Sequence, residues 1–188
     1  MLKDEVNKAF EVLKNGGLIL YPTDTIWGIG CDATNPEAVD KVYKLKGRAE
    51  EKSLIVLLDS DNKLQSYIKE VPEIAYDLIE YAEYPLTIIY SGAKNLASNT
   101  IAKDGSIGIR IVKHEFCQQL LQRFKKPIVS TSANLSGNPV AATFDDIDEK
   151  IILGVDYVVN WEQDVKKHKQ ASTIMKLEPG GLFNFIRK

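Results

Sequence analysis

The chain has 188 residues, with 24 Lys and Arg against 26 Asp and Glu and a formal net charge of −2, a size that fits one domain. Near-neutrality counts against a protein that works by wrapping nucleic acid, and a hydrophobic content of 44% counts against disorder. Cys31 and Cys117 make neither a disulfide framework nor a four-ligand zinc site, no apolar run reaches the length of a membrane span, and the first residues have no signal-peptide core. The expectation is a soluble, cytoplasmic α/β protein of one domain over residues 1–188, with no membrane partner.

Val6, Ala9, Phe10 and Leu13 recur at helical spacing, and Gly16-Gly17 stops that helix. Leu18–Tyr21 reads as a short buried strand ended by Pro22. A polar turn, Thr23-Asp24-Thr25, leads to a second apolar run, Ile26–Cys31. Asn35 followed by Pro36 predicts a helix start, with Ala38, Val39, Val42 and Tyr43 on its buried face and its end near Lys46-Gly47-Arg48. Leu54–Leu58 is expected as a fully buried strand, followed by helical stretches around Asp61–Ile68 and Pro72–Tyr81.

Leu86–Tyr90 and Ile107–Val112 are the next predicted strands, and Glu115–Phe124 is an amphipathic helix. Ile128–Ser130 is a short strand that runs into a small-residue loop, STSANLSGNP. A helical stretch at Asp145–Leu153 and strands at Tyr157–Val159, Thr173–Leu177 and Phe183–Ile186 complete the chain. The alternation lacks strict βαβ regularity, so a mixed twisted sheet is expected rather than a Rossmann fold.

Three segments carry more polar chemistry than a plain turn needs. In YPTDT, Tyr21–Thr25, two hydroxyls and a carboxylate follow a buried strand, where α/β proteins often place ligand groups. Taken alone it reads first as a turn held by its own side chains. In KLKGR, Lys46 and Arg48 flank Gly47 at a helix end, with Lys52 beyond. Such cations suit either a solvated helix C-terminus or a phosphate or carboxylate clamp. The third segment, Ser130 to Asn134 with Ser136-Gly137 behind it, offers hydroxyls, an amide and accessible backbone N–H groups to an anion.

Nucleophilic catalysis has little support. His114 and His168 are the two histidines, no G-x-S-x-G elbow presents a serine, and Cys31 reads as a buried small hydrophobe. Neither the P-loop pattern nor G-x-G-x-x-G is present, so any nucleotide needs another scaffold.

YPTDTIWGIGCDA, KLKGR, SIGIR and STSANLSG stand in the order and approximate spacing of the YrdC family, and the resemblance runs from about Gly17 to Arg187. It implies a YrdC-like twisted mixed sheet flanked by helices, with a deep, positively charged concave cleft. The activity it implies is synthesis of L-threonylcarbamoyladenylate and pyrophosphate from L-threonine, bicarbonate and ATP, for N6-threonylcarbamoyladenosine at position 37 of tRNA. By resemblance, Thr23, Arg110, Ser130 and Ser172 would hold the threonine, with Arg110 on its carboxylate. Lys46 and Arg48 match Lys-x-Arg, and Ser132 and Asn134 match Ser-x-Asn, a tetrad facing the nucleotide and the reacting groups. Lys52, Ser106 and Arg187 fall where further ATP contacts are expected, alongside Arg48, Ser132 and Asn134. Magnesium would arrive with ATP, with no protein-bound metal expected. The tRNA and the machinery that transfers the threonylcarbamoyl group are the implied partners.

The chain departs from the family pattern at two places. Ala82-Glu83-Tyr84-Pro85 stands where many members have Trp-Pro-Gly-Pro, and Ser53 and Leu57 stand where many have the Pro of Pro-Leu and a strand-ending His. The expected form is minimal, without the extra C-terminal domain of longer members. The alternatives are an RNA-binding or ribosome-maturation factor without catalysis, against which the net charge and the few nearby aromatics count, and a carbamoyl-adenylate module like that of hydrogenase maturation. Retention of Lys-x-Arg with Ser-x-Asn favours the synthase branch over YciO.

Overall fold

A computed structural model describes residues 1–47, 54–165 and 170–187. Among them nine strands form one mixed sheet. They are β1 (Ile19–Tyr21), β2 (Gly28–Gly30), β3 (Ile55–Leu58), β4 (Leu86–Tyr90), β5 (Ile107–Ile111), β6 (Ile128–Ser132), β7 (Tyr157–Val158), β8 (Thr173–Leu177) and β9 (Phe183–Arg187), in the spatial order β7-β1-β2-β6-β3-β5-β4-β8-β9. Three pairs are parallel (β1–β7, β3–β5 and β4–β8), and the rest antiparallel. The helices are α1 (Leu2–Lys14), α2 (Pro36–Lys46), α3 (Leu64–Tyr67), α4 (Ile74–Glu80), α5 (Glu115–Phe124) and α6 (Glu149–Gly154).

The expected elements are present, with four shifts. The stretch expected as a helix at Asp145–Leu153 is a 3₁₀ turn, Phe144–Asp146, followed by α6. The run Ile26–Cys31 pairs only over Gly28–Gly30. Asp61–Ile68 is a 3₁₀ turn followed by the single turn of α3. The strand predicted to stop at Ser130 continues to Ser132, because Ser132 and Thr131 pair with Gly28 and Ile29 of β2. Two of the hydroxyls assigned to a loop therefore sit on sheet.

Period-two alternation divides the sheet into two unlike faces. On one, Leu20, Ile29, Val56, Ile88, Ile109, Val129 and Met175 are buried under α2, α3, α4 and α6. On the other, Ile19, Tyr21, Leu57 and Ile128 pack under α1 and α5, against Val6, Leu13, Phe116 and Leu120. Both helices are amphipathic at the spacing their sequences show, and Asn35 caps α2 by accepting from Glu37 and Ala38 N–H, as its Asn-Pro start predicts.

Neither α1 nor α5 packs against the rest of that second face. Register puts Leu57, Arg110, Thr87, Ile174 and Arg187 in one row across β3, β5, β4, β8 and β9. Ser130, Ile55, Gly108 and Ile89 form the row beside it. A β-bulge in the β8–β9 pair brings Arg187 opposite Ile174, whereas Phe185 and Phe183 stand opposite Met175 and Leu177. Without the extra residue Ile186, Arg187 would share the face of the two phenylalanines.

Candidate functional site

The uncovered part of this face is a cleft of about 220 Å³ whose lining includes Thr25, Gly28, Arg110, Ser130, Ser132, Ser172 and Arg187. Gly28, on its floor, and Gly108, on β5 beside it, carry no side chain and so leave this space open. A Cβ on Gly108 would stand 2.7 Å from Ile55 Cγ2, and one on Gly28 would stand 3.2 Å from Ser130 Oγ.

Arg110 is buried at 2% exposure on β5, and its Nη2 lies 3.3 Å from Asp24 Oδ1 in the turn after β1. Asp24 Oδ2 accepts from the backbone N–H of Lys113 at 3.2 Å, which ties the turn to the end of β5. The contact between Asp24 Oδ1 and Arg110 is electrostatic: neither that oxygen nor Arg110 Nε makes a hydrogen bond among the described residues. A buried guanidinium with an unmet donor is well suited to a carboxylate or phosphate oxygen entering the cleft.

Arg187 is the second cation. Its Nε and Nη2 donate to the carbonyl of Ser172 at 3.0 and 2.8 Å. Burial, and then the charge of Arg110, pull its pKa below that of an ordinary arginine. Two guanidinium groups that feel each other across one pocket make it attractive to anions. Ser172 is buried and its hydroxyl shares a hydrogen with Thr87 Oγ1 at 2.8 Å, so it braces the wall beneath Arg110.

The YPTDT turn is rigid. Thr23 Oγ1 donates to Ile26 O at 2.7 Å, accepts from Thr25 N–H at 3.0 Å and lies 2.9 Å from Thr25 Oγ1. Its own side chains hold it together. Thr23 organises it from within, while Thr25 lines the cleft. Thr23 itself faces a neighbouring narrow crevice shared with Glu162 and Val165. Those two belong to the segment Trp161–Ser172 that follows β7, of which 166–169, with His168, lie outside the described residues. Glu162 Oε1 stands 3.3 Å from Nε2 of buried His114.

Lys46 is not the solvated end of a helix. It is 3% exposed, and its Nζ donates to the carbonyls of Ser132 and Asn134, the latter at 2.6 Å, with Asn134 Oδ1 at 3.5 Å. Gly47, at φ 60°, turns the chain away after it. Asn134 Nδ2 in turn donates to Asn138 O at 2.7 Å, and Ser136 N–H to Lys46 O at 2.9 Å. The Lys-x-Arg and Ser-x-Asn segments therefore meet, with Lys46 and Asn134 behind Ser132 rather than on the cleft lining. Arg48 and Lys52 lie outside the described residues.

Ser106 is buried but is not on that lining. Its hydroxyl and N–H both donate to Asp104 Oδ1, at 2.6 and 3.0 Å, and these bonds hold the Asp104 carboxyl below the usual range. Sequence reasoning placed no weight on Thr25 outside its turn, nor on Thr87, Gly28 or Gly108. The available signal was the smallness of WGIG, where Gly28 and Gly30 alternate, and of SIGIR, where Gly108 alternates with Ser106 and Arg110. Leu57, at the position of the family's histidine, packs under α1 and α5 instead of lining the cleft. Cys31 and Cys117 are both buried, and burial pushes the Cys31 thiol up.

Among the described residues no helix is long and apolar enough to cross a membrane, and no three His, Cys, Asp or Glu side chains gather as metal ligands. A threonylcarbamoyl-AMP synthase of Photobacterium profundum is 34% identical over 153 residues, covering 79% of this chain and 82% of that protein. One of Pseudoalteromonas translucida is 31% identical over 178 residues, covering 93% and 94%. Among solved structures, P. abyssi Sua5 superposes at TM-score 0.82 with 25% identity; the match covers 93% of this chain and 53% of the P. abyssi chain, so this chain spans about half of it. E. coli YciO superposes equally well, at TM-score 0.82 with 21% identity over 100% of this chain and 90% of YciO, so the fold does not separate the two branches. The Sua5/YciO/YrdC family model, described as telomere recombination, matches residues 11–188, and the chain belongs to that family.

Proposed function

We propose that this protein is a cytoplasmic L-threonylcarbamoyladenylate synthase, a nucleotidyltransferase joining L-threonine, bicarbonate and ATP. The observation that carries the reading is the pairing of Arg110 and Arg187 in a hydroxyl-lined cleft, with Arg110 Nε unmet. The names of relatives that match along most of their length support it.

The chemistry asks for charge management more than for a nucleophile. The threonine amine attacks bicarbonate and, with loss of water, gives a carbamate. A carbamate oxygen then attacks the α-phosphorus of ATP, and the bond to the β-phosphate oxygen breaks to release pyrophosphate. Each reactant is anionic, so holding them together and offsetting charge in the transition state is the main task. In this reading Arg110 takes the threonine carboxylate, with Ser130 and Thr25 on the same lining and Ser172 bracing the wall. Ser132 and Arg187 flank the space left for the phosphates. Lys46 acts on that space through Ser132 and Asn134, whose backbone it holds.

Magnesium bound to ATP would neutralise phosphate charge. Among the described residues the cleft lining has hydroxyls and no carboxylate, a donor set that fits an ion held by phosphate oxygens and water. The adenylate would then be consumed by the machinery that transfers threonylcarbamoyl to tRNA.

Pyrophosphate release from Mg-ATP and bicarbonate, compared for L-threonine, L-serine and no amino acid, tests the reading. Threonine-dependent release with a threonylcarbamoyl-adenylate peak in the mass spectrum is expected. No release from folded protein with any amino acid would overturn it in favour of a non-catalytic RNA-binding role.

A further inference from the structure

We propose that the groove between α4 and the β8–β9 hairpin, on the opposite face from the cleft, docks a basic amphipathic segment of a protein partner. The proposal is independent of the catalytic reading. Two adjoining hollows of about 730 and 500 Å³ share Ile74 and run along this side of the sheet. Their floor is apolar, with Tyr90 and Leu177 in one and Leu78, Met175 and Phe185 in the other.

Among the described residues α4, only seven residues long, covers this floor in part. Phe183 and Phe185 stand opposite Leu177 and Met175, on the side that α4 covers further in, yet remain 42% and 48% exposed. Tyr81 and Tyr84, where the chain leaves α4, are 76% and 75% exposed. Clustered exposed aromatics beside a groove mark interaction surfaces more often than scattered ones do.

Charge selects the occupant. Glu70, Glu73, Asp77 and Glu83 line the two hollows and are exposed, against Lys69 as the one cation in the described lining. That rim repels phosphate, so RNA is a poor fit. It also repels a second copy of itself, and the bulge in β9 interrupts the edge a second sheet would pair with. A segment with apolar residues on one face and Lys or Arg on its flanks satisfies both floor and rim.

The test titrates the isotope-labelled full chain with a synthetic Leu/Lys peptide of amphipathic helical pattern, and with a Leu/Glu peptide of the same apolar spacing. Backbone resonances report the site, and sedimentation of the free chain reports its oligomeric state. The Leu/Lys peptide is expected to move resonances of Ile74, Leu78, Tyr84 and Phe185. Its affinity should fall about tenfold or more in Glu73→Lys/Asp77→Lys and in Tyr84→Ser/Phe185→Ser. Equal binding of the Leu/Glu peptide, shifts confined to the cleft, or no binding would overturn the proposal. So would a dimer that Tyr84→Ser/Phe185→Ser dissociates, since the occupant would then be a second copy.

Discussion

Two ends of one sheet face differ in a single respect. Under α1 and α5 the strands present Ile19, Tyr21, Leu57 and Ile128, which fill the space to the helices. Further along the same face, β2, β6 and β5 present Gly28, Ser130, Gly108 and Arg110, which do not. The covered end shows how an apolar face recruits a layer, and the open end how short and charged side chains refuse one. The cleft is thus made as much by what its strands omit as by what they carry.

The largest effect that would break this contrast is at Arg110. Arg110→Ala is expected to raise the threonine requirement about a hundredfold in the synthase assay, the scale of losing a charge-assisted carboxylate contact. It should also cost stability, on the order of 3 kcal/mol, because Asp24 is left buried beside no cation. The double variant Arg110→Ala/Asp24→Asn separates the two, regaining stability in a chemical melt while threonine stays weak. An unchanged threonine requirement would mean that the open end is not the amino-acid pocket.

The glycines of β2 sharpen the contrast at a smaller scale. A Cβ on Gly30 would stand 2.6 Å from Tyr21 Cε1 and 2.8 Å from the Val129 carbonyl, so Gly30→Ala should cost about 1–3 kcal/mol. On Gly28 it would meet the Ser130 hydroxyl at 3.2 Å and otherwise project from the cleft floor. Gly28→Ala should therefore lower turnover about tenfold with little change in melting temperature. If Gly28→Ala lowered the melt as much as Gly30→Ala, the two ends would not differ in the way argued.

Much of this was legible in the sequence because it is local. The spacing of Val6, Ala9 and Leu13, the Asn35-Pro36 start and the run Thr173–Leu177 each specify an element from neighbours alone, and each element is present. The strand order was not legible, since β1 beside β7 and β4 beside β8 are pairings of residues far apart in the chain. For the same reason the sequence could name Ser172 and Arg187 only by resemblance. Their place beside Arg110 depends on register and on a one-residue bulge, which no local pattern marks. The sequence left Lys46 open between a solvated helix end and an anion clamp, because its burial depends on the loop after β6, which closes over it. The bond from Ser106 to Asp104, two residues away, is local, but its distance from the cleft lining is set by the tertiary fold.

The covered end is not wholly apolar, and a buried carboxylate there, Glu5, gives the smallest prediction. Glu5 of α1 is 5% exposed, and its Oε2 accepts from Tyr157 Oη at 2.5 Å and from Asn160 N–H at 2.7 Å, with Lys8 on Oε1. Burial alone would raise its pKa; those bonds outweigh it and hold the carboxyl below an ordinary glutamate. A group with a depressed folded pKa stabilises fully above its unfolded value and loses that contribution as pH falls through the folded one. Glu5→Gln should therefore cost about 1–2 kcal/mol at neutral pH, with the gap to the natural chain narrowing below about pH 4.5. Chemical melts of both proteins across that range measure it. A gap that stayed constant into acid would show that α1 is held to β7 by packing alone, making the covered end as purely apolar as its helices suggest.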